Sequence, residues 1–105
     1  MVAVIFEVTP FKAGKAEYLR LAAGLREHLV KMPGFISAER FQSLAHPEKL
    51  LSISFWESEA AAERWRKFEP HYFAQDKGRD QLFKNYRIRV GDVIRDDELT
   101  EAAER

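Results

Sequence analysis

A chain of 105 residues with 17 basic side chains against 17 acidic ones and no cysteine has the size of one domain around one core. The charge balance and the lack of any basic run exclude a phosphate-binding surface for nucleic acid, and the absence of thiols excludes disulfides, thiolate nucleophiles and Cys-ligated metals. No stretch reaches the roughly eighteen apolar residues of a membrane span, and the N-terminus lacks the basic-then-apolar layout of a signal peptide. A cytoplasmic protein with no membrane partner is therefore expected.

Val2 to Val8 is a β-branched and aromatic run ended by Thr9-Pro10, which predicts a buried central strand. From about Lys12 to Lys31, Tyr18, Leu21, Ala22, Leu25 and Leu29 recur at the spacing of one helix face, and Pro33-Gly34 stops the helix. Phe35 to Leu44 and Leu50 to Glu57 read as a hairpin around His46-Pro47-Glu48, with Leu51, Ile53 and Phe55 alternating against Ser52, Ser54 and Trp56. Ser58 is a good N-cap for a second helix through Ala60, Ala61, Ala62, Trp65 and Phe68. Glu69-Pro70 is expected to interrupt that helix and to start a short third one from about Pro70 to Gly78. A final long strand, about Leu82 to Ile94, puts Tyr86, Ile88, Val90 and Ile94 on one face and Arg87, Arg89 and Val93 on the other. Residues 1–95 thus form the domain, and 96–105 an acidic, alanine-rich tail.

The order strand, helix, hairpin, helix, strand is the ferredoxin-like βαββαβ arrangement, an α+β fold with a four-stranded antiparallel sheet and helices on one face. Strands one and three carry apolar residues on both faces, which one helical layer cannot cover. A second copy packed on the open face, giving a two-fold homodimer, is the economical cover.

Glu39-Arg40-Phe41-Gln42-Ser43, then Leu50-Leu51-Ser52-Ile53-Ser54-Phe55-Trp56-Glu57, then Trp65, His71 and Gly78, and finally Tyr86-Arg87-Ile88 together resemble the antibiotic biosynthesis monooxygenase family over residues 2–95. The weight lies in the order and spacing of the whole set. The resemblance implies a dimeric α+β barrel with a pocket between helices and sheet in each subunit. Cofactor-independent members of that superfamily oxidise phenolic or quinol-like aromatics with O2, and haem-degrading members use bound haem as substrate.

Residue by residue, the match is partial. The haem-degrading signature is an Asn on the first strand, a Trp on the second helix and a His ten residues later; here those positions carry Glu7, Trp65 and Gln75, and glutamine does not replace imidazole as an axial ligand. In quinone-forming relatives an Asn precedes the Trp by four residues and a Tyr follows by six; here they are Ala61 and His71. The resemblance thus implies a monooxygenase of a small aromatic, phenolic or quinol-like compound, with no cofactor. Trp65, Phe68, Tyr72 and Gln75 would bind the substrate, and His71, which titrates near neutrality, would accept its proton.

Glu7, a carboxylate in an apolar strand, is read as the ion-pair partner of Arg87 or Arg89, with a general base as the alternative. Arg40, Arg87 and Arg89 are read as sheet or interface charge, with orientation of an anionic substrate as the alternative. His28 and His46 are expected to face solvent. Three histidines with no carboxylate at ligand spacing give no metal site, and no glycine-rich loop is present for a nucleotide. Two other functions remain compatible with the sequence: a haem-binding or haem-degrading protein with His71 as ligand, and a non-catalytic dimer that binds a small apolar ligand or acts in stress.

Overall fold

The computed structural model describes residues 1–74 and 82–100. In chain order the elements are β1 (Val2–Pro10), α1 (Lys15–Leu29) after a single 3-10 turn at Lys12–Gly14, β2 (Phe35–Gln42), β3 (Leu50–Trp56), α2 (Glu59–Ala74) and β4 (Phe83–Asp92). The four strands form one antiparallel sheet in the order β2-β3-β1-β4, with both helices on one face. This is the ferredoxin-like α+β fold expected from the sequence.

The period of two along β1 decides what each sheet face carries. Val2, Val4, Phe6 and Val8 are buried under the helices. They meet Tyr18, Leu21, Ala22, Leu25 and Leu29 of α1 and Ala61, Ala62 and Trp65 of α2, the residues that the helical periodicity places on one face. Burial of each large apolar side chain here contributes roughly 1.5–3 kcal/mol. Trp56, fully buried, stacks on Trp65 with ring centroids 6.1 Å apart and meets Phe35 edge-on at 5.6 Å, joining β3, α2 and β2.

Two junctions fix how the helices sit. The Ser58 hydroxyl accepts the Ala61 backbone N–H at 3.1 Å, the N-cap bond anticipated from the sequence, typically worth about 1 kcal/mol. After α1 the chain turns through Gly34, whose φ is +83°, and the Gly34 carbonyl accepts the Glu57 N–H at 2.8 Å. A Cβ added at Gly34 would lie 2.6 Å from the Ala61 Cβ, an atom on a helix backbone that cannot rotate away.

The expected break at Glu69-Pro70 does not occur. Pro70 lies inside α2, which runs without interruption to Ala74. Proline in a helix interior loses one backbone hydrogen bond and costs about 3 kcal/mol, but Trp65, Phe68 and Tyr72 continue one stripe against α1 on both sides of it. Phe68 and Tyr72 lie against the His28 ring, with centroids 5.3 and 5.5 Å away. The Tyr72 hydroxyl occupies the space that a Cβ on Gly24 would need, only 2.5 Å off. Residues 75–78 of the expected third helix fall outside the described residues. The last strand is slightly shorter than anticipated, although the Val93 N–H still donates to the Met1 carbonyl at 2.9 Å.

The face of the sheet away from the helices carries Ala3, Ile5 and Glu7 of β1, Leu51, Ile53 and Phe55 of β3, and Arg87 and Arg89 of β4. Glu7 accepts a hydrogen bond from Arg89 at 2.5 Å, the ion pair that the sequence left open between Arg87 and Arg89. This bond, followed by the fields of Arg89, Lys49 and Arg87, holds the Glu7 carboxyl below its usual range.

Two predictions follow from these contacts. Gly34→Ala combines a left-handed backbone with a clash against α2, so chemical denaturation should show a loss of about 2 kcal/mol or more. A carboxyl held below its ordinary range stabilises the fold above that range and stops doing so as pH falls through its folded pKa. Glu7→Gln should therefore be less stable than the parent at pH 7, with the difference shrinking as the pH falls through and below the ordinary carboxylate range, measured by urea midpoints at each pH.

Candidate active site

Between the two helices and the sheet lies a cavity of about 270 Å³. Its floor is Phe6 of β1, Ser52 and Ser54 of β3, and Ala38 and Arg40 of β2. Its roof is Tyr18, Ala22, Leu25, Arg26 and Leu29 of α1 with Trp65 and Glu69 of α2. Phe6, Tyr18, Leu25, Ser54 and Trp65 are buried, whereas Arg26 and Arg40 are exposed, so the base is apolar and the rim is charged. A recess of about 20 Å³ continues past Ser52, Ser54, Trp65 and Glu69 to Val4 and Ile88.

Strand pairing puts the serines there. Phe6 is opposite Ser52 and Val4 opposite Ser54, so both serines share the helix-facing side of β1, and Leu51, Ile53 and Phe55 fall on the other. Ser54 is buried, and its hydroxyl accepts the Trp56 indole N–H at 2.9 Å. That bond satisfies the indole and leaves the serine's own proton to be donated elsewhere.

The charged rim is positioned as well. Arg26 projects from α1 to donate to the Ala38 carbonyl at 3.3 Å. The Arg40 guanidinium lies over the Tyr18 ring at 5.7 Å, a cation–π contact. Trp65 is fixed by its stacks on Trp56 and on Phe68, the latter at 5.8 Å, and exposes the rest of its surface to the cavity.

Of the residues singled out in the sequence, Trp65 lines this cavity. Phe68 and Tyr72 lie behind it in the contact between α1 and α2. His71 is exposed near the end of α2 and is not among the cavity residues. Glu7 is on the opposite face of the sheet, paired with Arg89. Gln75 is outside the described residues. The structure therefore does not bring Trp65, His71 and Glu7 into one cavity. His46 and His28 are both exposed, as expected; His46 sits in the hairpin turn with its backbone N–H on the Ser43 hydroxyl, and one side of the His28 ring meets Phe68 and Tyr72 of α2. Arg40 points into the cavity, whereas Arg87 and Arg89 share the open face. Among the described residues no group of three His, Cys, Asp or Glu side chains is arranged to hold a metal.

Sequence reasoning missed Tyr18, Arg26, Ser52, Ser54 and Glu69 as cavity residues. A signal for the serines existed: Trp56 follows them on the same strand face, and a tryptophan there argues that this face is covered.

Residues 1–77 match the antibiotic biosynthesis monooxygenase family. The chain is 44% identical over 93 residues to a jasmonate monooxygenase of Pyricularia oryzae, covering 89% of this chain and 43% of that protein, so it spans less than half of the relative's length. Among solved structures, a candidate antibiotic biosynthesis monooxygenase from Deinococcus radiodurans superposes with TM-score 0.81 at 13% identity, over 96% of this chain and 100% of that one. SnoaB, a cofactor-independent oxygenase from Streptomyces nogalater, superposes with TM-score 0.74 at 16% identity, over 90% and 94%; at these identities the likeness shows a shared fold. The family match covers most of the domain and agrees with the order of its elements: the chain belongs to the antibiotic biosynthesis monooxygenase family.

Proposed function

We propose that the chain is a monooxygenase that oxidises a small, electron-rich cyclic compound in the cavity between α1, α2 and the sheet, using the substrate's own electrons to reduce O2. The observation that carries this reading is the cavity itself, whose buried base of Phe6, Leu25 and the fixed indole of Trp65 lies beneath a charged rim. Such a site supplies orientation and exclusion of water. An activated methylene of a phenol or enol tautomer needs little more. Loss of one proton gives a carbanion or enolate, which passes electrons to O2. One oxygen atom ends as a carbonyl in the product and the other leaves as water with the two hydrogens of the methylene, so no external reductant is required.

A proton acceptor must reach the substrate. In this reading Glu69 takes that role, because its side chain lines the cavity beside Trp65 and both serines, and His71, first expected there, does not. Ser52 and Ser54 would donate to the developing oxyanion. The jasmonate monooxygenase relative adds an alicyclic candidate to the phenolic and quinol-like ones.

The same reading includes a homodimer built on the open sheet face. Ile5, Leu51, Ile53 and Phe55 are only half-buried there, and Phe41 is 46% exposed. A shallow groove of about 150 Å³ runs between Phe41, Ile53 and Phe55. A second copy would cover this apolar surface isologously.

Two measurements test the proposal. In an oxygen electrode, a panel of anthrone, hydroquinones and jasmonate should contain a substrate consumed with one O2 per molecule. Glu69→Gln should then lose about a hundredfold in kcat and Trp65→Phe should raise KM, with His71→Ala unchanged; a flat response to Glu69→Gln or a collapse in His71→Ala reverses the assignment. In sedimentation equilibrium the parent should run at twice the chain mass and Ile53→Glu at the chain mass, and a monomeric parent removes the dimer.

A further inference from the structure

The rim of the cavity holds two arginines whose role the oxidation just described does not use. Arg26 is tied to the Ala38 carbonyl and Arg40 to the Tyr18 ring. Ala38 and Arg40 are two residues apart on one face of β2, about 7 Å along the strand; the Arg26 guanidinium meets the strand there, while that of Arg40 is turned to the Tyr18 ring of α1. Glu39, between them in sequence, is also among the residues that line the cavity, but it pairs across from Ile53, and the strand's alternation directs its side chain to the opposite face. Among the described residues neither arginine forms an ion pair with a carboxylate. Both guanidinium groups line the same cavity, and each keeps several N–H donors unused after its single anchoring contact.

We infer that Arg26 and Arg40 form a carboxylate-binding site, so that the ligand of this cavity is an organic monocarboxylate whose acid group sits at the α1–β2 rim and whose apolar ring lies against Trp65. This rests on the cavity being the substrate site. The planar fork of a guanidinium matches a carboxylate through two parallel hydrogen bonds. Glu69 occupies the α2 side of the same 270 Å³ space, and its negative charge penalises a phosphate dianion more than a carboxylate monoanion. The polarity along the cavity also sets direction: with the acid held at the arginines, the far end of the ligand is the end that faces Glu69, Ser52 and Ser54.

The test uses 1-naphthylacetate, its neutral analogue 1-naphthylacetamide and 1-naphthyl phosphate, followed by quenching of tryptophan fluorescence and by calorimetry. The acid should bind at least tenfold more tightly than the amide. Arg26→Gln and Arg40→Gln should each remove most of that preference while leaving amide affinity unchanged, which also reports that the variants are folded. Arg40→Lys should retain part of it, a point charge without the fork. Equal binding of acid and amide overturns the inference, as does a preference for the acid that survives both substitutions, and tighter binding of the phosphate replaces the carboxylate by a phosphoryl group. Failure of the oxygenase reading looks different: acid-selective binding would persist while no member of the panel consumed O2.

Discussion

Everything in this domain depends on the register of β1 between its two neighbours. Val4 opposite Ser54 and Phe6 opposite Ser52 put two small hydroxyls where the helices cross the sheet, and small residues there leave the room that the cavity occupies. A slip of one residue in β3 would exchange the faces, sending Leu51, Ile53 and Phe55 under the helices to fill the cavity and turning the serines outward. The slip is opposed by Trp56, fully buried at the end of the same face, because turning that indole out of the core would lose several kcal/mol. The cavity is thus a consequence of strand pairing, held open by one buried tryptophan.

This dependence explains which parts were legible in the sequence. Local signals with a single physical meaning survived: the periodicity of α1 and the Ser58 cap appear where the residues demand them, and although α1 already ends at Leu29, Gly34 makes the turn into β2. Glu7 was legible as a paired charge for the same reason, since an acid in an apolar strand has few stable alternatives. Pro70 was misread because its local cost of about 3 kcal/mol is visible in sequence, while the compensating contacts of Phe68 and Tyr72 with His28 are tertiary. Ser52 and Ser54 were unread for a related reason. In an isolated strand, polar residues alternating with apolar ones indicate a solvent face, and only the position of the helices reverses that meaning.

The position of His71 carries the same lesson for chemistry. A histidine at a family spacing from a tryptophan invites a catalytic role, but spacing along a helix fixes direction as well as distance. Six residues is about 600° of helical rotation, or some 120° away from the face of Trp65 modulo two turns, and the buried face of α2 continues instead through Phe68 and Tyr72, three and seven residues on. A break at Pro70 would have reset that phase. Because the helix is unbroken, His71 remains on the exposed side.

The unbroken helix has a further consequence for the site. Its last turns place Tyr72 over Gly24, where the missing side chain leaves room for the tyrosine hydroxyl, and this contact lies directly behind the Trp65–Phe68 stack. The wall of the cavity is therefore braced from behind by the Tyr72 ring, whose hydroxyl fills the space that Gly24 leaves, at a propensity cost of about 1 kcal/mol to α1. The serines keep the space open from below and the glycine keeps its wall in place from above. Small residues on two different elements, each unfavourable or unremarkable by local rules, together make the volume that a substrate would fill.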